Sequence, residues 1–322
     1  MSRQEFTVDS ETPGRILAEL RARSEGLSWK RARSLLHSRR ISINGVLCVD
    51  EGRQLVSGEI IRVTDSPLSA PPTDDDVTVR YVDAQLVIVE KPSGMTTLRR
   101  TSEKSWSAAR RRVQPTLDES VARLIAQHAA KAKGQRVKQR LPRLYSVHRI
   151  DRDTSGLLVF ARTEEAQQQI IRQFADHQAV RQYFCVIPGR IADQTIRSQL
   201  IRDRGDGLRG STTDCSIGQS AVTHVKTLRQ IGDYSELECS LETGRTNQIR
   251  IHLAELGHPV CGDIKYRGPV RSTVPDDSKA PRLALHAAIL RIRNPQTGEL
   301  LDFRTPWPPD MQRYLNRLVV RG

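Results

Sequence analysis

The chain has 322 residues, 37% hydrophobic and 27% charged, which suits a protein with a real core and excludes a disordered or fibrous one. Its formal charge of +14 points to a polyanionic partner, because each neutralised phosphate releases condensed counterions. The five cysteines are scattered with no Cys-x-x-Cys pair, which argues against a disulfide framework and against structural zinc.

Residues 14–64 read as a small unit. Ile16, Leu17 and Leu20, then Ala32, Leu35 and Leu36, recur at helical spacing on either side of Glu25-Gly26-Leu27-Ser28. Ser28 is the expected N-cap of the second helix. Ile41-Ser42-Ile43-Asn44-Gly45-Val46-Leu47 alternates around Asn-Gly, a tight hairpin, and residues 58–63 would close a short sheet. Ten basic against five acidic residues leave this unit at +5. Helix, helix and an Ile-x-Ile-Asn-Gly hairpin on a basic face resemble the S4 RNA-binding domain. That resemblance marks Lys30, Arg31, Arg33, Arg39 and Arg40 as the expected RNA-binding residues; a basic helical hairpin with no ligand is the plainer alternative.

The segment 65–76, rich in Pro and Ser and ending in Asp74-Asp75-Asp76, is the expected linker. A larger unit follows over 77–315. Val77–Val82 and Leu86–Pro92 are β-branched runs around an Asp83-Ala84-Gln85 turn. Further strands are expected at 157–161, 183–187, 222–228, 234–241, 259–261 and 284–293, with helices at 117–130, 163–178 and 246–256. Strands outnumber helices and neighbours are close in sequence, so an α+β fold is expected: a mixed, largely antiparallel sheet with flanking helices. A second basic stretch, 99–143, holds thirteen basic against three acidic residues, +10. The excess charge is therefore clustered, as a phosphate-gripping surface requires.

The chemistry points to His148-Arg149-Ile150-Asp151-Arg152-Asp153-Thr154-Ser155-Gly156-Leu157-Leu158, which places an acid on a loop just before a buried strand. Alone this is ordinary turn chemistry. The string nevertheless closely resembles the signature of the RluA-type pseudouridine synthases, with Ile150 where that family has Leu. Other segments follow in the family's order: Lys91-Pro92-Ser93-Gly94, Arg181-Gln182-Tyr183, Gln219–His224, Thr243-Gly244-Arg245-Thr246-Asn247-Gln248-Ile249-Arg250-Ile251-His252 and Leu283–Ala287. The resemblance spans about residues 77–310.

What the resemblance implies is a cofactor-free isomerase with no metal, which breaks the N1–C1′ bond of a uridine and joins C5 to C1′. Asp151 is then the catalytic carboxylate, Arg245 its cationic partner, and Tyr183 the aromatic against the uracil, handling a proton at C5. Arg149 would fill the space of a base flipped out of its stack or hold its phosphate. His148 is expected to be structural, Ile249 and Leu285 to be pocket walls, and Thr154 and Ser155 to fix the Asp151 loop through side-chain-to-backbone bonds. Two positions depart from the family: Asn247 stands for the usual His and Gln219 for a common Lys. Structured RNA is the expected partner, ribosomal RNA of the large subunit first and transfer RNA second. A cytoplasmic location is expected, because no apolar signal core opens the chain, and a monomer is the default for an enzyme that must dock against a large RNA. A binding-only protein and a glycoside hydrolase are the competing readings. The latter needs a second carboxylate in a comparable motif, and none occurs.

Overall fold

The computed structural model describes residues 4–9, 14–24, 26–99, 101–103, 106, 108–132, 134, 141–267 and 274–321. The chain divides into two compact units, one of Met1–Pro71 with Ser102–Gln114, the other of Pro72–Thr101 with Pro115–Gly322.

In the small unit, β1 (Gln4–Thr7) precedes α1 (Ile16–Arg23) and α2 (Trp29–His37), followed by β2 (Ile41–Ile43), β3 (Val46–Leu47) and β4 (Ile60–Val63); α3 (Ala108–Val113) belongs to the same unit. The sheet is antiparallel in the order β1-β4-β2-β3, so it begins ahead of the expected boundary at residue 14. Ile16, Leu20, Leu36, Ile41 and Ile61 form a core closed to solvent. The Ser28 hydroxyl accepts from the Arg31 amide at 3.2 Å, capping α2 as expected. Asn44 and Gly45 both have positive φ, 49° and 73°, the geometry a two-residue hairpin turn of this twist demands.

The larger unit contains β5 (Thr78–Val82), β6 (Leu86–Lys91), α4 (Leu117–Ala132), β7 (Tyr145–Ser146), β8 (Ser155–Ala161), α5 (Glu164–Ala175) and β9 (Val180–Pro188). It continues through β10 (Gln194–Ile201), β11 (Gly210–Thr212), β12 (Gln219–Ile231), β13 (Tyr234–Leu241), α6 (Gln248–Glu255), β14 (Leu285–Arg293), β15 (Leu300–Arg304) and α7 (Pro309–Arg321). The strands form one sheet in the order β11-β10-β12-β13-β9-β14-β8-β6-β5, with β15 on β14 and β7 on β8. Every pairing is antiparallel except β14 with β8. The expected mixed, largely antiparallel α+β sheet is therefore what the chain forms.

β8 is buried along its whole length, which is why Ser-Gly-Leu-Leu-Val-Phe-Ala lacks the alternation of a half-exposed strand. One expectation fails here. Residues 259–261 form no strand; Val260 and Cys261 are buried in a turn after α6, so a short apolar run there signalled core and not sheet. β10, β11 and β15 were not anticipated, since exposed polar residues dilute their periodicity, and α7 was not anticipated although Met311, Tyr314, Leu315 and Leu318 recur at helical spacing.

Candidate active site

The loop between β7 and β8 carries Asp151, and the loop formed by residues 91–97 cradles it. Thr97 donates its hydroxyl to the Ile150 carbonyl at 2.8 Å, Ser93 to that of Asp153 at 2.7 Å, and the Gly94 amide to that of Arg152 at 2.8 Å. The Lys91 ammonium, buried to 1% exposure, donates to the carbonyls of Pro92, Met95 and Arg152. Burial pulls its pKa down to about 7, against the opposing charges of Asp153 and Asp151. The Lys-Pro-Ser-Gly segment is thus the support of the acid-bearing loop.

Gly156 opens β8 with φ of 115°. A Cβ there would lie 2.7 Å from the Ala287 amide nitrogen and closer still to its carbonyl oxygen, so only glycine lets β8 and β14 meet. Ser155 shares a hydrogen bond with His286 Nδ1 at 2.9 Å, and no partner occurs for the buried Thr154 hydroxyl among the described residues. The expected side-chain-to-backbone bonds of Thr154 and Ser155 are therefore not formed, and the loop is instead braced by the Ser93 and Thr97 hydroxyls and the Gly94 amide. His148 is structural, as expected: its Nε2 accepts from the Val159 amide at 3.1 Å, and burial takes its pKa down to about 3.

Asp151 faces an open pocket with about 580 Å³ of empty space, the adjoining open solvent included. Tyr183, Arg149, Arg245, Ile249 and Leu285 line it, so the catalytic candidates are brought together and the two apolar walls lie where expected. The ion pair is different. Arg250, not Arg245, meets Asp151, with Nη1 3.5 Å from Oδ2. Arg245 is exposed and donates its Nε to the Ser220 carbonyl at 3.0 Å, which directs its guanidinium toward β12. Arg250 sits in the first turn of α6 with its side chain 7% exposed.

A network fixes Arg250. Asp263, fully buried, takes its Nε at 2.6 Å and its Nη2 at 2.9 Å, and Asn247 Oδ1 accepts from Nη1 at 3.1 Å. Asn247 in turn donates Nδ2 to the Tyr266 hydroxyl at 2.9 Å, and Tyr266 lies under the Arg250 guanidinium. Asn247 holds a left-handed backbone, φ 61°, which Asn tolerates at the start of α6. Gln248 closes the turn by accepting from the Arg245 amide and the Thr243 hydroxyl and donating to Val222 and Thr223. Burial pushes the Asp151 carboxyl above its usual range, and Arg250, Arg149 and Lys91 pull it back. Burial also raises the Tyr183 phenol, so it stays protonated near neutrality.

The remaining predicted residues lie in the small unit. Lys30 and Arg31 are exposed on α2 with no ion pair among the described residues; Arg39 and Arg40 follow that helix. Arg33 shares Glu51 with His37, which partly neutralises it. In the 99–143 stretch, Arg99 pairs with Glu119 and Arg123 with Asp74 through two bonds each, so part of that charge serves structure. Arg100, Lys104, Lys133, Arg136, Lys138 and Arg140 of the stretch lie outside the described residues. Reading the sequence missed Arg250, Asp263 and Arg181. Arg250 was present in the same ten-residue motif as Arg245; Asp263 carried no signal of its own.

The RNA pseudouridylate synthase family profile matches residues 85–255. The uncharacterized RNA pseudouridine synthase YlyB of Bacillus subtilis is 34% identical over 249 residues, 77% of this chain and 74% of that protein. Ribosomal large subunit pseudouridine synthase D of Neisseria meningitidis serogroup A is 33% identical over 279 residues, 84% of this chain and 69% of that one. A protein with the same name from Zymomonas mobilis is 31% identical over 336 residues, 99% of each chain. Among solved structures, human RNA Pseudouridylate Synthase Domain Containing 4 superposes with a TM-score of 0.57 at 20% identity, covering 75% of this chain and 92% of that one, a likeness of fold.

Proposed function

The chain belongs to the RNA pseudouridylate synthase family, isomerases that act on RNA, and from that premise we propose that it converts uridine in large-subunit ribosomal RNA to pseudouridine with Asp151 as the reactive carboxylate. The observation that carries the Asp151 role is its setting: a half-buried acid lining the pocket, held on a braced loop and 3.5 Å from a fixed guanidinium. The cation beside such a carboxylate favours its ionised form against the burial that raises its pKa, and the ionised form is the one that attacks or assists as the glycosidic bond breaks.

The isomerisation balances without any added group. N1–C1′ breaks, C5–C1′ forms, C5 gives up its proton and N1 gains one. Tyr183 packs against the uracil, and burial, which raises its phenol pKa, keeps it neutral and able to donate a hydrogen bond there. Arg149, exposed at the pocket, contacts the RNA from which the base is drawn. The unstacking of a base from folded RNA costs a few kcal/mol, offset by stacking in the pocket. The small unit grips RNA through Lys30, Arg31, Arg39 and Arg40 in the manner of an S4 domain, with Arg33 tied to Glu51. Relatives named for the large ribosomal subunit support ribosomal RNA as the substrate.

The test is to incubate transcribed large-subunit ribosomal RNA, free of pseudouridine, with the wild-type protein and with Asp151→Ala, and to map pseudouridine by chemical labelling. Labelling at discrete positions by the wild type alone is expected. Equal labelling by both proteins refutes the Asp151 role, and no labelling by the wild type refutes the substrate.

A further inference from the structure

Arg181 has no place in the chemistry so far. It lies two residues before Tyr183 on β9, so the two side chains share a face, and both line the pocket. Its guanidinium rests over the Phe174 ring, 4.6 Å from the centroid. Among the described residues its Nε is buried without a hydrogen-bond partner, and no carboxylate lies within ion-pair distance. Its outer end reaches the pocket mouth beside exposed Gly244, where a Cβ would stand 2.7 Å from Nη1. Gly244 has no positive φ, and the guanidinium end of Arg181 is the group packed against its open face.

A largely buried cation without a counter-charge costs stability, and proteins keep such groups where a ligand supplies the missing charge. Burial accordingly disfavours the charged form of Arg181. Aromatic contact offsets only part of that cost, on the order of 1–2 kcal/mol. A neutral uracil carbonyl would satisfy a hydrogen bond and leave the charge uncompensated; a phosphodiester does both, and its geometry suits the guanidinium fork. Arg181, Asp151 and Tyr183 line the same pocket, so a nucleotide laid along Tyr183 lies between both charged groups.

We propose that Arg181 is a substrate-binding residue that holds a backbone phosphate of the target nucleotide at the pocket mouth while its uridine faces Asp151. This rests on the uridine-isomerising reading given above. Arg149 and Arg181 then bracket the drawn-out nucleotide, one exposed and one waiting with an unpartnered N–H.

Equilibrium binding of transcribed large-subunit ribosomal RNA to the full chain, measured from low to moderate salt, tests this with wild type, Arg181→Gln and Arg181→Lys. Losing one phosphate contact should lower the slope of log affinity against log salt by about 0.7–0.9 in Arg181→Gln, with Lys restoring it. Pseudouridine formation under subsaturating RNA should fall roughly 10–100-fold in Arg181→Gln, the range of a charged hydrogen bond. The unfolding midpoint of Arg181→Gln should be equal to or above that of the wild type, since an uncompensated buried charge is gone. A merely structural arginine predicts the opposite. A wild-type salt slope in Arg181→Gln, or a lowered midpoint together with an unchanged slope, overturns the proposal. Absence of turnover by the wild type would sink the large-subunit ribosomal RNA substrate instead, and the binding slopes would still decide Arg181.

Discussion

Replacing Arg250 by Met separates the ion pair the structure shows from the one expected at Arg245. Asp263 is fully buried, and both of its oxygens are taken by Arg250; without the guanidinium it keeps only the Lys265 and Tyr266 amides. Stranding one partner of a buried ion pair costs about 3–5 kcal/mol. In a folded body of roughly 250 residues each kcal/mol moves the midpoint by about 2–4 °C, so Arg250→Met should unfold some 6–20 °C lower. Arg245→Met loses one exposed hydrogen bond, to Ser220, about 0.5–1.5 kcal/mol. The rate should separate them too. Asp151 without Arg250 loses its nearest cation, so its already raised pKa climbs further and the acid limb of the rate profile moves to higher pH. At neutral pH we expect about a 100-fold loss in single-turnover pseudouridine formation, the scale of one preorganised electrostatic group. Thermal unfolding and a pH profile on unmodified ribosomal RNA measure both. If Arg245→Met shifted the acid limb while Arg250→Met left it in place, the pairing described here would be wrong.

Asp151→Asn should stabilise the fold at neutral pH. The folded carboxyl has a pKa above its ordinary 3.8, so the penalty of ionising it in place sets in above that value and is complete above the folded pKa; the gain in unfolding free energy must vanish as pH falls below 3.8. Gly156→Ala combines a positive-φ strain with contact against the Ala287 backbone, and a loss of about 3 kcal/mol or more should appear in urea melts. His148→Gln should lower stability by about 1–3 kcal/mol through the Val159 amide while the pH–rate profile keeps its shape, because a histidine with a pKa near 3 is neutral throughout the working range.

How far the sequence could be read depended on whether a residue's task was local. The Ser28 cap, the Asn44-Gly45 hairpin and the apolar run of β8 are decided within a few positions, and each was legible. Asp151 was legible through its string of neighbours, and the loop around it needs that string: Gly156 for the approach of β14, Ser155 for His286. The exposed strands β10 and β11 escaped because their polar faces erase the period-two signal, whereas α7 did carry a helical stripe in Met311, Tyr314, Leu315 and Leu318 that was not read.

The arginines show where such reading stops. Arg245 and Arg250 are five residues apart in one motif, and nothing in the spacing alone says which guanidinium turns inward. The choice is made by the left-handed Asn247, which starts α6 between them and sends the two side chains to different surroundings. It is made again by Asp263, thirteen residues beyond Arg250 and without a motif, which draws Arg250 into the core and leaves its remaining nitrogen for Asp151 and Asn247. One buried acid thereby positions the cation of another. Held by Asp263 from behind, the Arg250 guanidinium stays beside Asp151 and pulls its carboxyl pKa down against the burial that raises it, whereas Arg245 is tethered by a single carbonyl.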